Sequence, residues 1–581
     1  MKRALLLCIC ASAATARPVL AQCPDGTPPP CRSADARARA APPASVAVLD
    51  PVAPATDTSA SELVDGLAED LAIRLGEVSR LTVRSRATVR RLRDASAMSM
   101  EQLGRALSAS YLVSLSVRRA GATLRFSAEL TRAGNGSQVW AAQYDRADQN
   151  LLAMQSEIAR AVARGIAGRL FPAEQATLTA RPTASAEAYG AYLRGLALRR
   201  SMGDDAGALV QQQRAVALDS GYAAAWSELA VAHAALFWFY TDRSDSRLAQ
   251  ARVAAERAAR LAPTASSSHV AMAYYYYWGS RDYESALVQL RIALAANPND
   301  ADVHDAMANV LRRQGRWDAT LASRGRAIEL SPSDALPIAE LGTTLMMLRR
   351  YAEADSAFDR AAALGLAGSY SHYDRVLSAL LQGRSVEHLQ SSVGWLVARA
   401  ADGLTEVFKD PQQALPVVRM VPVVQDAIMR TAPVRLDARA GRALMVGQIL
   451  DARGERAAAA LSYDSARVMI GEMVRERADD AGLRSALAIA LAGMGRAAEA
   501  VREGEAAVRL LPVSTDALTG LELSITFAQV LIRTGDPDRA ITLLEDALAR
   551  PSFVSRTLLR TDPAYAPLRG NPRFERLING N

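Results

Sequence analysis

Apolar residues recur with two different periods along this chain, and the change of period divides it into two regions. In the first region, Ser45-Val-Ala-Val-Leu49 is a short apolar run that predicts a buried strand. Leucines then recur every four residues over 61–78, which predicts a helix. The remaining expected elements are a strand over 81–85, a helix over 99–107, strands over 110–118, 122–132 and 137–145, and a helix over 150–170.

The turns between the last three strands have residues suited to hairpins. Ala120-Gly121 lies between the first two strands, and Gly134-Asn135-Gly136 lies between the second and third. Strands joined by short turns pair as an antiparallel meander, and the amphipathic helices need a sheet face to cover. We therefore expect residues 45–172 to form an α+β domain.

From about residue 183 the apolar pattern becomes a repeat. Pro263, Pro298 and Pro332 follow one another at intervals of 35 and 34 residues. Small residues stand at fixed positions before each proline: Ala251 and Ala258, Ala286 and Ala293, Thr320 and Ala327. Small residues let two helices pack closely, and proline ends the second helix of a hairpin. The pattern predicts an all-α superhelix (an α-solenoid) over 183–550, degenerate over 365–437, with a C-terminal cap over 551–581.

The first residues have the layout of a secretory signal peptide. Lys2 and Arg3 precede an apolar stretch over 4–14, and a small-residue cleavage site ends at Ala21. The apolar stretch is too short to span a bilayer. We therefore predict that residues 1–21 are removed after Ala21. The mature chain, without an integral membrane span, is then expected to be periplasmic or secreted.

Several alternatives stay open near this end. A second candidate cleavage site is Ala14-Thr15-Ala16, the start could stay uncleaved, and Cys23 could carry a lipid although Gln22 precedes it. Residues 22–44 are rich in Pro, Ala and Arg, which predicts a flexible linker. Within it, Cys23 and Cys31 are a candidate disulfide in an oxidising compartment, or two free thiols.

Composition and charge exclude several classes of protein and of binding site. With 50% hydrophobic and 22% charged residues, the 581-residue chain is neither collagen-like nor wholly disordered. Loss of the three basic residues in 1–21 lowers the net charge from +7 to +4, which is too diluted to favour nucleic-acid binding. Lysine occurs only at Lys2 and Lys409, so phosphate-binding loops and kinase sites that require lysine are excluded.

Two segments of the chain resemble known families. Leu63-Val-Asp-Gly-Leu-Ala-Glu-Asp-Leu71 resembles the first helix of the TolB-like amino-terminal domain, and Ser116-Val-Arg-Arg119, Trp140 to Arg146 and Ala153 to Arg160 resemble its later segments in order. The repeats resemble tetratricopeptide (TPR) repeats. The resemblance implies a bacterial exported protein with a TolB-like domain over 45–172 followed by TPR repeats. In many relatives this pair follows a DNA-binding, cyclase or kinase module, and it has no catalytic residues to carry over.

One face of each first helix is expected to line the concave side of the superhelix. Aromatic, polar and guanidinium side chains adjoin there, a mixture that suits an extended peptide. The candidate groove residues are Tyr275, Trp278, Asp302, Asp305, Asn309, Arg312, Arg313, Thr343 and Met346. The alternative is that these side chains simply pack against their neighbours.

The sequence gives no positive sign of catalysis. The five histidines lack metal-ligand spacing, so we expect neither a metal nor another cofactor. His269 and His304 fall at nearly equivalent repeat positions, which favours a packing or groove role. Asp65 and Glu69 are one helical turn apart, as paired catalytic carboxylates would be, with Asp70 beside them. A solvated helix face explains these three acids better.

These observations predict an exported, non-enzymatic TPR scaffold for protein–protein interaction in the cell envelope. The repeats would hold a protein or peptide in their concave groove, and the TolB-like domain would contact an envelope protein; no nucleic acid is expected. The alternative is the sensory or regulatory half of a signalling system, with a ligand or partner bound by the TolB-like domain.

Overall fold

Five strands of the first region form one mixed sheet in the computed structural model of the chain. They are β1 (Ala44–Val48), β2 (Leu81–Val83), β3 (Tyr111–Ala120), β4 (Thr123–Arg132) and β5 (Ser137–Arg146). The order across the sheet is β2-β1-β3-β4-β5; β1 is parallel to β2 and β3, and β3 to β5 form the expected antiparallel meander. The α+β expectation is therefore confirmed.

The structure describes residues 44–581 except 54–57, 79, 94–97, 121–122, 147–150, 202, 240–241, 366–368, 402–410, 433–435 and 581. Residues 44–581 form one compact unit. The predicted signal peptide, all of the predicted linker except Ala44, and the candidate disulfide between Cys23 and Cys31 lie outside the described residues, as does Lys409.

Helices cover the sheet because their apolar stripes match its buried strands. They are α1 (Thr58–Gly76), α2 (Arg86–Arg93), α3 (Met100–Ala106), α4 (Leu151–Ala167) and α5 (Pro172–Thr179). Leu67, Leu71 and Leu75 of α1 and Ile158 of α4 share one core with the strands. The arginine-rich helix α2 was not predicted, because it has few apolar residues to set a period.

Helices follow one another from residue 186 to the C-terminal end. The first ten are α6 (Ala186–Leu196), α7 (Asp205–Leu218), α8 (Ala223–Trp238), α9 (Asp245–Leu261), α10 (Ser266–Tyr274), α11 (Tyr283–Ala296), α12 (Ala301–Arg313), α13 (Trp317–Leu330), α14 (Ala335–Met347) and α15 (Tyr351–Ala363). Successive pairs pack as hairpins, from α6 with α7 to α14 with α15. π-Helical turns over Ala197–Ser201 and Tyr275–Ser280 extend α6 and α10.

The degenerate region is also helical where it is described. It contains α16 (Ser369–Gln382), α17 (Gln390–Ala401), α18 (Pro411–Met420) and α19 (Pro422–Arg430). Regular hairpins then resume with α20 (Leu436–Ala452), α21 (Arg456–Glu476), α22 (Ala481–Gly493), α23 (Ala497–Leu510), α24 (Thr519–Thr534) and α25 (Pro537–Ala549), and α26 (Arg556–Thr561) and α27 (Pro572–Asn579) end the chain. The predicted fold class, an α+β domain followed by an all-α solenoid of helical hairpins, is thus confirmed.

Local chemistry explains why the hairpins recur. Asp300 and Asp480 accept hydrogen bonds from backbone N–H groups at the starts of α12 and α22, which satisfies donors that a helix leaves free. Gly315 and Gly495 take positive φ angles of 69° and 76° in turns between paired helices, a conformation that glycine adopts without steric cost. The repeated alanines predicted at helix contacts are fully buried: Ala258, Ala293 and Ala327.

The α+β domain packs directly on the first hairpin of the array. A Cβ atom on Gly66 of α1 would overlap the backbone of Leu193 in α6, so the two helices cross at close range. The hydroxyl of Tyr189 donates to Asp70 over 2.8 Å, and Asp70 also accepts from Arg74 over 2.8 Å. The predicted solvated face on α1 is therefore wrong at Asp70, which is 4% exposed.

The acid beside it is buried as well. Glu69 is 2% exposed and accepts from Arg86 over 3.3 Å and from Arg90 over 2.6 Å. The sequence expectation failed at Glu69 and Asp70 because both carboxylates find guanidinium partners, and a buried charge persists when it is paired in this way.

Candidate binding groove

Polar side chains from the first helices of successive hairpins interact with one another from repeat to repeat. α6 with its π-helical turn, α8, α10, α12, α14 and α16 each contribute at least one. We call this set the inner ladder; it consists of Arg199, Arg200, Glu228, Tyr274, Trp278, Asp302, Asp305, Asn309, Arg312, Glu340, Thr343 and Asp374. The ladder occupies the face where the sequence places the groove.

The first step of the inner ladder is an arginine–glutamate cluster. Arg199 Nε donates to Glu228 over 2.9 Å, and Arg200 Nη2 donates to it over 3.1 Å. Burial alone would raise the pKa of Glu228, but the two guanidinium groups outweigh it and lower the pKa to about 2. These three charged side chains are therefore paired with one another within the protein.

The middle steps are formed by α12 and its neighbours. Arg324 of α13 pairs with Asp305 and donates to Asn309 over 2.7 Å. Arg312 pairs with Glu340 of α14 over 2.7 Å. Since both arginines already have acidic partners within the array, neither is free to bind an acidic group of a ligand.

Asp302 differs from the other ladder acids. Its side chain is solvent-exposed, and among the described residues no arginine lies within ion-pair distance. Partial desolvation on the inner face, followed by repulsion from Asp300 and Asp334, raises the pKa of Asp302 to about 7, although Arg200 opposes the shift. The ladder thus contains one accessible carboxyl group without a cationic partner.

The aromatic step contains Tyr274 and Trp278, whose ring centroids lie 4.2 Å apart. Burial and the nearby charges of Asp302 and Asp305 raise the pKa of the Tyr274 hydroxyl. Tyr275, which the sequence placed in the groove, lies instead beside Tyr276, with ring centroids 5.3 Å apart. The charged groups that act on its hydroxyl, Arg252 and Glu256, are on α9.

The helical register explains why Tyr274, and not Tyr275, lies on the inner ladder. Tyr274 and Trp278 are four residues apart and therefore share a helical face, whereas Tyr275 belongs to the next face. Sequence counting from one repeat to the next placed Trp278 beside Tyr275, and the π-helical turn that starts at Tyr275 was not detectable by that counting. The spacing from Trp278 back to Tyr274 was the signal that could have found it.

Of the last three predicted groove residues, Arg313 and Met346 lie off the inner ladder and Thr343 lies on it. Arg313 Nη1 pairs with Asp516 over 3.2 Å and donates to Thr519 over 2.6 Å. Met346 is fully buried in the apolar core, so it offers no surface to a partner. Thr343 donates to the buried carboxyl group of Asp374.

The α+β domain borders the same face. Arg90 of α2 donates to the carbonyl oxygen of Arg200 over 2.6 Å, and Arg91 pairs with Asp334 over 2.8 Å. Ser333 donates to the carbonyl oxygen of Leu107 over 3.1 Å. The domain therefore contacts the array at its first hairpin and again at the connection between α13 and α14, on both sides of Asp302.

The repeated histidines have a packing role. His269 Nε2 donates to the carbonyl oxygen of Pro263 over 2.9 Å, and His304 Nε2 makes the same bond to Pro298 over 3.1 Å. In the described part of the chain, no group of three or more His, Cys, Asp or Glu side chains is placed to hold a metal ion. None of the described helices is long and apolar enough to cross a membrane.

Comparison by sequence finds a distant relative. No family model matches the chain. A stretch of 189 residues is 27% identical to a protein of Rhizobium meliloti (strain 1021) named "Putative adenylate cyclase 3". The stretch is 32% of this chain and 32% of that protein, so the chain spans about a third of the length of the curated relative that it matches.

Comparison by structure finds solved proteins of low sequence identity. A TPR protein with a peptide-binding site, YrrB, is 18% identical, with 32% of this chain and 92% of that chain covered and a TM-score of 0.24. PilF of Pseudomonas aeruginosa is 16% identical, with 41% and 96% covered and a TM-score of 0.30. The human IFIT1 dimer is 17% identical, with 63% and 84% covered and a TM-score of 0.37. At TM-scores below 0.5, no ligand or activity carries over from these proteins.

Proposed function

We propose that this chain is a non-enzymatic scaffold that holds a protein or peptide segment on the inner face of its TPR array. The observation that carries the proposal is Asp302: an exposed carboxyl group without a cationic partner, in a ladder whose other charges are largely paired with one another. A cationic side chain of the partner is the group that fits it. Tyr274, on whose hydroxyl the charge of Asp302 acts, and Trp278, whose ring lies against that of Tyr274, offer aromatic surface for the apolar part of that side chain.

The charge of the partner follows from the same pairing. Arg199, Arg200, Arg312 and Arg324 are bound to acids of the array, so the face has little free positive charge for an acidic ligand. A partner's arginine or lysine would gain an ion pair with Asp302 and would also relieve its repulsion from Asp300 and Asp334. The proposed partner therefore presents a basic segment.

A peptide array probed with the full chain tests this proposal. Peptides containing arginine or lysine beside an aromatic or aliphatic residue should bind, and the Asp302→Arg variant should lose about tenfold or more in affinity by fluorescence anisotropy. Asp359→Arg is the matched control, because Asp359 is an exposed acid paired with Arg375 outside the ladder. Equal binding of acidic peptides, or binding unaffected by Asp302→Arg, would contradict the proposal.

We propose further that the scaffold works in the cell envelope after export. The support is the basic and apolar start of the chain, with its small-residue cleavage site ending at Ala21. Mass spectrometry of the N-terminus in fractionated cells decides this. A chain starting at Gln22 in the periplasmic or secreted fraction supports export, whereas an intact Met1 in the cytosol contradicts it.

A second candidate function is regulation of a signalling enzyme encoded elsewhere, and the cyclase-named relative favours it. Deleting the gene and measuring cyclic AMP by mass spectrometry tests this alternative. A changed cyclic AMP level that a copy lacking residues 1–21 restores would support regulation from the cytoplasm. An unchanged level in the deletion strain would count against it.

A further inference from the structure

A cavity of about 620 Å³ lies outside the inner ladder, where two distant parts of the array meet. Arg349 and Tyr351 border it from the connection between α14 and α15, and the ends of α16 and α25 form further walls. Ser555, Arg556 and Thr557 close it at the start of α26. Its volume is within the range of small-molecule sites in proteins, about 300–1,000 Å³.

Arg349 occupies a backbone position that disfavours its side chain. Its φ angle is 59°, in the left-handed region. The equivalent residue one repeat earlier is Gly315, with a φ angle of 69°, and Gly454 and Gly495 occupy the same kind of turn. Arg281 is another arginine in this conformation. An arginine at such a turn stores backbone strain that glycine would avoid. The presence of arginine at position 349 therefore needs a reason other than the geometry of the turn.

Part of that explanation is structural. Arg349 donates through Nε to the carbonyl oxygen of Val554 over 3.2 Å and through Nη2 to Ala547 over 3.2 Å and Ser552 over 3.1 Å. These acceptors are neutral, and they hold the segment between α25 and α26 against the turn. They do not neutralise the charge, and the Nη1 group has no hydrogen bond among those described.

A second cation stands at the same cavity. Arg556 donates through Nε to the carbonyl oxygen of Leu577 over 3.1 Å. In the part of the chain that the structure describes, no carboxylate lies within ion-pair distance of Arg349 or Arg556. Burial, together with repulsion from Arg556, lowers the pKa of Arg349. Two guanidinium groups that repel each other without an acidic partner favour a bound anion.

We propose that this cavity binds a small organic anion, with its phosphate or carboxylate group held between Arg349 and Arg556. Among the described residues, Arg556 keeps Nη1 and Nη2 free to donate a planar pair of hydrogen bonds to either group, and Arg349 can add hydrogen bonds from Nη1, because its Nε and Nη2 already bind neutral oxygens. Tyr351 supplies a hydroxyl group at the wall, whereas the hydroxyl of Ser555 already donates to the carbonyl oxygen of Leu381 over 2.6 Å. Leu381 and Leu548 supply apolar surface for the organic part. This site is separate from the peptide groove, because none of its lining residues belongs to the inner ladder.

Isothermal titration of the full chain with phenyl phosphate at pH 7.5 and constant ionic strength tests the site. Benzoate tests the carboxylate form of the same ligand chemistry, and phenol is the uncharged control. We expect phenyl phosphate or benzoate to bind one to one and phenol not to bind. Whichever anion binds more tightly identifies the preferred acid group, and the absence of binding by both would overturn the proposal.

Three variants distinguish a specific anion-binding site from nonspecific attraction of anions to the positively charged protein. Arg556→Gln, at an exposed side chain, should weaken binding about tenfold or more. Arg349→Gly removes the guanidinium while relieving the left-handed strain, and it should abolish binding in a chain that still folds by circular dichroism. Arg326→Gln, which removes an exposed charge paired with Glu329, should bind like the unaltered chain. Equal affinity in Arg556→Gln and the unaltered chain would overturn the site even if Arg349→Gly failed to fold.

Discussion

At the scale of single residues, Asp374 is a buried acid whose ionisation lowers the stability of the folded chain. It is 7% exposed, and burial together with the charge of Glu340 raises its pKa to about 7, although Thr343 donates to it and Arg312 attracts it. Below pH 4 the carboxyl group is protonated in both the folded and the unfolded chain. Between pH 4 and pH 7 the folded chain holds its proton more tightly, so the contribution of Asp374 to stability falls as the pH rises.

The variant Asp374→Asn should therefore gain stability relative to the unaltered chain as the pH rises. We expect equal urea midpoints near pH 4 and an advantage for the variant of about 1–2 kcal/mol at pH 8, since the amide carries no charge and still accepts from Thr343. Asp359→Asn, at an exposed acid on α15, should show no such trend. A difference that does not depend on pH would mean that ionisation of Asp374 is not responsible.

At the scale of elements, glycine determines how closely the helices pack. The ring of Tyr463 on α21 lies between Gly447 of α20 and Gly493 of α22. A Cβ atom on Gly447 would come within 2.7 Å of the ring, and one on Gly493 would overlap it. Two glycines on neighbouring helices thus make room for one fully buried tyrosine.

Gly493→Ala should destabilise the array by about 1–3 kcal/mol, because the added methyl group forces Tyr463 out of its place. Gly471→Ala is the control on α21 itself: apart from the adjoining backbone of α21, no described atom lies within 4 Å of its added Cβ, and alanine favours a helix by about 0.5–1 kcal/mol. Urea unfolding should move in opposite directions for the two variants. A loss of stability in both would indicate a helix effect rather than a packing effect.

At the scale of the whole molecule, residues some 200 positions apart hold the array in its curled form. Asp516 is fully buried, accepts from Tyr283 over 2.7 Å and pairs with Arg313 over 3.2 Å. The backbone N–H of Ala517 donates to the carbonyl oxygen of Arg313 over 2.7 Å. These contacts join α11 and α12 to the start of α24.

Asp516→Ala should open this contact, because it removes the acidic partner of the partly buried guanidinium of Arg313 and the acceptor of the Tyr283 hydroxyl. We expect a loss of about 3–5 kcal/mol in urea unfolding and a larger radius of gyration by small-angle X-ray scattering. Asp546→Ala removes an exposed acid paired with Arg550 and should change stability by at most about 1 kcal/mol. An unchanged radius of gyration would show that other contacts suffice to hold the curl.

Local periodicity predicted much of this architecture but only part of the candidate groove. Helical spacing and the proline interval identified the repeats, because each hairpin repeats the same close contacts at alanine and glycine. The same counting placed Asp302 and Trp278 on the inner ladder. It selected Tyr275 in place of Tyr274, because counting at fixed repeat positions does not detect the π-helical turn that starts at Tyr275.

What the sequence determined by itself was the class of each region: an α+β domain followed by helical repeats, since both follow from local patterns of apolar and small residues. Only the tertiary structure decided which charges are free. Glu69 and Asp70 meet arginines and a tyrosine, Arg313 meets Asp516, and Asp302 meets no arginine within ion-pair distance among the described residues. Ion pairing depends on distances of a few ångströms between residues far apart in the chain, and no local pattern encodes those distances.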